Sequence, residues 1–403
     1  MNALLEVEDL TVQLPVAGEL RTVLRDVSFS LDRGSTLGLV GESGSGKSMT
    51  VRTIARLLPD GADVRGGVRF DGAEVFDLRA DALRSYRAKD VAMIFQDARA
   101  YTNPVRTIGD FLTEAMRIND RMPKAAARKR AAELLAEVGI GDPERRLRQY
   151  PHELSGGLLQ RVMIAAAVAA RPRLILADEP TTALDVTTQA EVMAILRRMQ
   201  REYGMAMLFI THDLELAGAV CDETIVLYAG QVMERQASVR LHEDPLHPYT
   251  AALVQARPEI GRRVDRLPAI SGHPTTAYEA PDGCAFAPRC HFAQEECRAG
   301  VPPLLRIGPS QTRCVRMPGL RGQLAPQEPV GSASDETGSA ANSIGSASHE
   351  IGSASAEVGS ASAEVGSAAN AIGSASHEID SAPNSIASAS HDIGSASNEE
   401  VQR

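Results

Sequence analysis

The segment Gly41, Glu42, Ser43, Gly44, Ser45, Gly46, Lys47, Ser48 fits the pattern G-x-x-x-x-G-K-[ST]. An apolar run (Leu37 to Val40) precedes it, and a helix-compatible stretch (Met49 to Leu58) follows. A glycine-rich loop between a strand and a helix lets backbone N–H groups curl around phosphate oxygens, with the helix N-terminus adding favourable potential. Lys47 is expected to reach the β- and γ-phosphates, and Ser48 to ligate Mg²⁺. A chain built on this element has an α/β core, and ATP or GTP is the expected ligand.

A second segment strengthens that expectation. Leu174 to Ala177 is an apolar strand that ends in Asp178 and Glu179, about 130 residues beyond the loop. A carboxylate at the C-terminal edge of a parallel strand is placed to hold Mg²⁺, a role assigned to Asp178. Glu179, one residue on, is the candidate general base that polarises the attacking water.

Strand and helix patterns alternate from residue 173 to 210, which argues for a parallel sheet, whereas residues 4–40 alternate apolar and polar as short antiparallel strands do. Residues 110–139 read as helical. Beyond Pro245, proline and glycine become frequent, and four of the five cysteines fall within 31 residues. Cys221 stands alone in an apolar stretch and reads as a buried small side chain. From Gly331 a repeat of period seven runs for ten units, with Ser second and Ala third in each. Its glycines and serines oppose a helix more than one Ala and one Ile or Val per unit support it, so a disordered acidic tail is expected over a marginal coiled coil. That tail holds ten acidic residues and one base, Arg403, and so carries nearly all of the net charge of −10. The near-neutral remainder lacks the basic excess of a nucleic-acid binder. No apolar run approaches the ~18 residues of a membrane span, and the N-terminus has no basic segment before an apolar one, so a cytoplasmic protein is expected.

Leu154, Ser155, Gly156, Gly157, Leu158, Leu159, Gln160 resembles the ABC (ATP-binding cassette) family motif Leu-Ser-Gly-Gly-x-x-Gln. The resemblance covers about 1–235 and implies a P-loop NTPase ABC cassette: a parallel sheet core, an antiparallel β subdomain and a helical subdomain at about 97–160. In that family Ser155, Gly156 and Gly157 face the nucleotide of a second ATP-binding subunit, in a homodimer or heterodimer. Gln96 in Met-Ile-Phe-Gln-Asp matches the glutamine that senses Mg²⁺ and the membrane partner. Asp185 in Thr-Ala-Leu-Asp matches the D-loop, and His212 in Ile-Thr-His-Asp matches the switch histidine at the γ-phosphate. Lys47 and His212 are then expected to stabilise charge on the transferred phosphoryl group, with Glu179 orienting water.

Gln149 to Gly157 (Gln-Tyr-Pro-His-Glu-Leu-Ser-Gly-Gly), Pro245 to Thr250 (Pro-Leu-His-Pro-Tyr-Thr) and Gly283 to Cys290 (Gly-Cys-Ala-Phe-Ala-Pro-Arg-Cys) extend the resemblance to about residue 320. They are similar to the ATPase subunits of oligopeptide/dipeptide permeases. This implies an ATPase on the cytoplasmic face of the membrane, two integral membrane permease subunits and, indirectly, an extracytoplasmic substrate-binding protein. Relatives import nickel, other metals or sugars, and soluble cassette ATPases on DNA or ribosomes are the more distant alternative. Cys284, Cys290, Cys297 and Cys314 at short spacings argue for metal rather than disulfides. Their gaps are wider than those of zinc ribbons, and zinc, free thiols and a [4Fe–4S] cluster all stay open. Some members of the resembled branch carry such a cluster at these positions. The domains expected are 1–235, a small irregular region at 236–330 and the tail at 331–403. Three departures stand out. Leu14 sits where the family usually stacks an aromatic on adenine, Asp97-Ala98 and Thr102-Asn103-Pro104 replace the usual membrane-docking residues, and Leu159 replaces a basic residue.

Overall fold

The computed structural model describes residues 3–182, 184–256 and 269–324. The reading of the repeat tail lies outside them.

The chain opens on a long hairpin. β1 (Ala3–Val16) and β2 (Glu19–Asp32) pair antiparallel from Ala3↔Asp32 to Val16↔Glu19. The alternation seen in the sequence turns Leu5, Val7, Leu10 and Val12 into one core with Leu24, Val27, Phe29 and Leu31. β3 (Thr36–Val40) then leads through the phosphate loop into α1 (Lys47–Ile54). β4 (Asp63–Phe70) and β5 (Ala73–Glu74) return to the hairpin and complete a four-stranded sheet in the order β2-β1-β4-β5.

After α2 (Ala80–Ser85) and β6 (Val91–Ile94) comes a helical layer: α3 (Ile108–Ile118), α4 (Lys124–Glu137), α5 (Pro143–Arg146) and α6 (Gly156–Ala169). Thr107 caps α3 by accepting the Asp110 N–H at 3.1 Å, a contact of the kind that supplies ~1 kcal/mol at a helix start. Ala127, Ala131, Leu134 and Leu135 form the buried stripe of α4, at the spacing a helix requires. Leu159 is fully buried in α6, so the apolar residue in the Leu-Ser-Gly-Gly segment is a core side chain here.

β7 (Leu174–Asp178), α7 (Val186–Tyr203), β8 (Ala206–Thr211), α8 (Leu214–Val220), β9 (Glu223–Tyr228) and β10 (Gln231–Ala237) follow. The larger sheet has the order β11-β12-β10-β9-β3-β8-β7-β6. From β9 to β6 its neighbours are parallel. β3, β7 and β8 are buried at every position, which is why they read as continuous apolar runs rather than alternating ones.

The remaining elements are α9 (Arg240–Glu243), α10 (Pro248–Gln255), β11 (Leu305–Ile307), β12 (Ser310–Thr312) and α11 (Met317–Leu320). Most of this region is irregular, as its composition suggests, but it is not peripheral. β12 pairs with β10 through Glu234↔Thr312, so the short β11–β12 hairpin extends the sheet. Tyr228, Tyr249 and Phe286 form a ring cluster with centroids 4.7, 5.2 and 5.4 Å apart, and this fastens α10 and the cysteine segment to β9.

Candidate nucleotide site and the four-cysteine cavity

The phosphate loop leaves the C-terminal edge of β3, beside the equivalent edges of β8 and β7. Ligands gather at this edge of an open parallel sheet. Gly46 is the N-cap of α1 at φ 105°, and a Cβ there would lie 2.6 Å from Leu24 Cδ2, so glycine is required on both counts. The Lys47 ammonium lies over the loop and donates to the carbonyls of Gly41 (2.8 Å) and Glu42 (3.0 Å). Burial lowers its pKa, while Glu179, Asp178 and Glu42 pull the other way.

β7 carries Asp178 to this edge, where Ser48 Oγ donates to its Oδ1 at 2.8 Å. Burial raises the Asp178 carboxyl, and the Ser48 hydrogen bond opposes that rise. Glu179 has φ 47°, a left-handed value for a residue with a long side chain, and its N–H donates to the Ile210 carbonyl at 3.1 Å. Such backbone strain concentrates at functional sites. Its carboxylate is the meeting point of the cleft: Gln96 Nε2 donates at 3.1 Å and Thr182 Oγ1 at 2.8 Å. His212 Nδ1 lies 3.5 Å away, and Lys47 Nζ 3.9 Å. Ser43, Gly44, Gly46, Lys47 and Ser48 line the same cleft as Gln96, Glu179 and His212. The Gln96 amide therefore rests on Glu179 rather than on the Ser48–Asp178 pair. Thr182 escaped the sequence reading, although its place three residues after Glu179 is a hydrogen-bonding signal for a turn.

Ser155, Gly156, Gly157 and Asp185 are not among the residues lining this cleft. They lie instead at the starts of two neighbouring helices. Ser155 caps α6, accepting the Leu158 N–H at 3.4 Å, and Asp185 caps α7, accepting the Thr188 N–H at 3.0 Å. A Cβ on Gly157 would lie 2.4 Å from Thr188 Cγ2, so the glycine lets the two helix starts approach. Ser155 and Gly156 are exposed.

The loop is also held from the far end of the chain. The Glu42 N–H donates to Tyr249 Oη at 2.9 Å. The Glu42 carboxylate takes both terminal nitrogens of Arg289, at 2.6 and 3.1 Å. Arg289 is buried, and its Nε donates to the Ser271 carbonyl at 2.8 Å. Sequence reading missed this pair.

Cys290 follows Arg289. With Cys284, Cys297 and Cys314 it lines one small cavity, walled by apolar side chains such as Phe286, Phe292, Val315 and Leu320. Among the described residues, no three His, Cys, Asp or Glu side chains lie close enough together to hold a single metal ion. Burial pushes up the thiols of Cys284, of Cys290 to about 11 and of Cys314 to about 12, with neighbouring cysteines adding to the rise. Backbone N–H groups of Phe286, Phe292 and Arg316 act in the opposite sense on Cys284, Cys290 and Cys314. Cys221 is buried elsewhere, in the core beside α8.

The family model described as "ABC transporter" matches residues 24–182, and "Oligopeptide/dipeptide transporter, C-terminal region" matches residues 233–297. The oligopeptide transport ATP-binding protein OppD of Haemophilus influenzae is 41% identical over 313 residues, spanning 78% of this chain and 97% of the relative. This chain belongs to the oligopeptide/dipeptide-type ABC transporter ATP-binding proteins. OppD of Escherichia coli is 40% identical over 79% of this chain and 94% of its own length. The dipeptide transport ATP-binding protein DppD of H. influenzae is 42% identical over 77% and 95%. Among solved structures, the dimeric post-hydrolysis state of the ATP-binding cassette MJ0796, bound to ADP and Pi, shares 30% identity. It aligns with a TM-score of 0.53 over 58% of this chain and 98% of its own. As an ABC ATPase the chain has the cassette fold expected from its sequence. No helix among the described residues is long and apolar enough to cross a membrane.

Proposed function

We propose that this chain is the ATP-hydrolysing subunit of a membrane importer for peptides, working at the cytoplasmic face beside two membrane subunits and a second ATP-binding subunit. The observation that carries the reading is the joining of two parts. A cleft lined by the phosphate loop, Gln96, Glu179 and His212 is fastened, through Glu42, Tyr249 and Arg289, to the C-terminal region typical of oligopeptide/dipeptide transporters. The loop from Gly41 to Ser48 takes the phosphates, with Lys47 turning from the carbonyls of Gly41 and Glu42 to phosphate oxygens. Glu179 orients the attacking water and accepts its proton, and Gln96, Thr182 and His212 hold that carboxylate in place. The Ser48 hydroxyl and Asp178 carboxylate, 2.8 Å apart and facing the phosphate loop, are hard oxygen donors that fit Mg²⁺. Mg²⁺ would supply charge stabilisation at the phosphates. Ser155, Gly156, Gly157 and Asp185, exposed or capping at paired helix starts, suit a nucleotide held by the other subunit.

The segment after Gln96 supports docking to membrane subunits. Tyr101 stacks on Phe95 at 3.6 Å, and Val105 and Ile118 are 79% and 69% exposed. Large apolar side chains left open in this way suit burial by a partner. The four thiols fit a [4Fe–4S] cluster better than zinc. They share one apolar cavity, and backbone N–H groups are directed at three of the sulfurs. Cys284, Cys290, Cys297 and Cys314 would hold it, and its positive iron core would supply the potential that turns buried thiols into thiolates.

Glu179→Gln tests the reading. Turnover in the assembled transporter falls at least ~10²-fold, the range for losing a general base, while ATP still binds. Near-normal turnover removes Glu179 from that role. Failure of the wild-type chain to co-purify with membrane subunits removes the importer reading.

A further inference from the structure

The nucleotide cleft does not end at the cassette. From the phosphate loop its lining passes Val23 on β2 and reaches Thr276, Ala277 and Tyr278 of the C-terminal region. That short loop is fixed in place. The Thr275 N–H donates to Tyr228 Oη at 3.2 Å, and Thr276 Oγ1 donates to Glu279 Oε2 at 2.6 Å. Ala277 is buried against Gly230, where an added Cβ would come within 2.8 Å of the alanine Cβ. Tyr278, next to the buried Ala277, is 46% exposed. The Arg21 guanidinium lies 5.0 Å from its ring centroid, and Arg21 is the cross-strand partner of Leu14. An aromatic ring on a pinned loop, half open to a cleft with a phosphate loop at its other end, presents a flat apolar surface of the kind that purines stack on. Among the described residues that line the cleft, Tyr278 is the one aromatic ring apart from the His212 imidazole beside Glu179.

We propose that Tyr278 supplies the stacking surface for the nucleotide base, with Arg21 steadying the ring. This rests on the nucleotide reading of the loop from Gly41 to Ser48. It assigns base recognition to the C-terminal region; among the described residues, none of β1 lines the cleft. The competing role is structural: Tyr278 as a cover for the Arg21 side chain.

The test is calorimetric titration of the full chain with MgATP and, separately, with magnesium tripolyphosphate, which has the phosphates but no base. The proteins are wild type, Tyr278→Ala and Tyr278→Phe. Stacking on an aromatic is worth about 5- to 150-fold in affinity. Tyr278→Ala is therefore expected to weaken MgATP within that range, Tyr278→Phe to stay within about twofold, and tripolyphosphate to bind all three alike. Unchanged MgATP affinity in Tyr278→Ala overturns the proposal, as does an equal loss for MgATP and tripolyphosphate, which would mean a disturbed phosphate loop. Photolabelling of the wild type with 2-azido-ATP is expected to mark the peptide carrying Tyr278, and labelling of β1 instead overturns it. If the wild type binds neither ligand, the nucleotide reading itself fails.

Discussion

The Arg289–Glu42 pair offers the sharpest test of how the C-terminal region serves the phosphate loop. The two residues are 247 positions apart and make a bidentate contact, with side-chain exposures of 4% and 23%. Removing one member of a buried ion pair costs ~3–5 kcal/mol, because the other is left uncompensated. The exposure is uneven, so the two truncations differ. Arg289→Met leaves a carboxylate that water partly reaches, and about 2–3 kcal/mol is expected. Glu42→Gln leaves a nearly enclosed guanidinium with the Ser271 carbonyl and Tyr228 hydroxyl as its partners, and the cost sits nearer the top of the range. The double variant removes both charges, so its loss falls short of the sum by about 1–3 kcal/mol. Urea unfolding of the four proteins measures this coupling, and MgATP titration of the same four shows whether it reaches the site. Glu42 lies inside the phosphate loop, so both single variants weaken MgATP binding. Losses that add within about 0.5 kcal/mol would refute the coupling. Destabilisation with unchanged MgATP affinity would confine the pair to holding the C-terminal region in place.

Two further outcomes follow, one from a buried carboxyl and one from a close helix contact. Burial raises the Glu234 carboxyl to about 8 and lowers His247 to about 3. Between pH 6.5 and 8 the folded chain thus holds a proton on Glu234 that the unfolded chain has lost, so stability falls as pH rises through that window. His247 is neutral in the folded chain throughout, while the unfolded imidazole, with its ordinary value of 6.5, is still partly protonated at the low end, so it adds a small opposing slope that fades by about pH 7.5. The unfolding free energy should drop by up to about 2 kcal/mol across the window, and Glu234→Gln should flatten the profile; a wild-type profile already flat would show that Glu234 is ionised. At the α6–α7 contact, Gly157→Ala drives a methyl into Thr188 Cγ2 and is expected to cost ~1–3 kcal/mol. Thr188→Ser removes that methyl but keeps the hydroxyl that donates to Asp185 at 2.7 Å, so it should restore most of the loss in a thermal melt.

The legible parts of this chain are those whose chemistry is written in adjacent residues. The loop from Gly41 to Ser48, the Asp178–Glu179 strand end and the Ser155-Gly156-Gly157 cap each carry their local geometry in a few consecutive positions: the loop joins β3 to α1, Asp178 ends β7 and Ser155 caps α6. The buried strands β3, β7 and β8 were visible as apolar runs for the same reason. What escaped reading depends on side chains meeting across long stretches of chain. Nothing in Ser310-Gln311-Thr312, a three-residue polar strand, announces that it will pair with β10. Arg289 sits between proline and cysteine in an irregular segment and has no periodicity to mark it as buried. The cysteines could be grouped by spacing, but the shared cavity and the N–H groups around it come from a loop path that spacing does not encode.

These escaped contacts converge on the nucleotide. Tyr249 and Arg289 hold Glu42 at the start of the phosphate loop, and the Thr275–Glu279 turn places Tyr278 at the other end of the same cleft. Arg289 in turn adjoins Cys290, whose thiol faces the four-cysteine cavity. A backbone path of one residue therefore separates a metal-ligand candidate from an ion pair on the phosphate loop. The sequence-level boundary near residue 235 marks a change in pattern, while the site that binds the phosphates draws side chains from both sides of it.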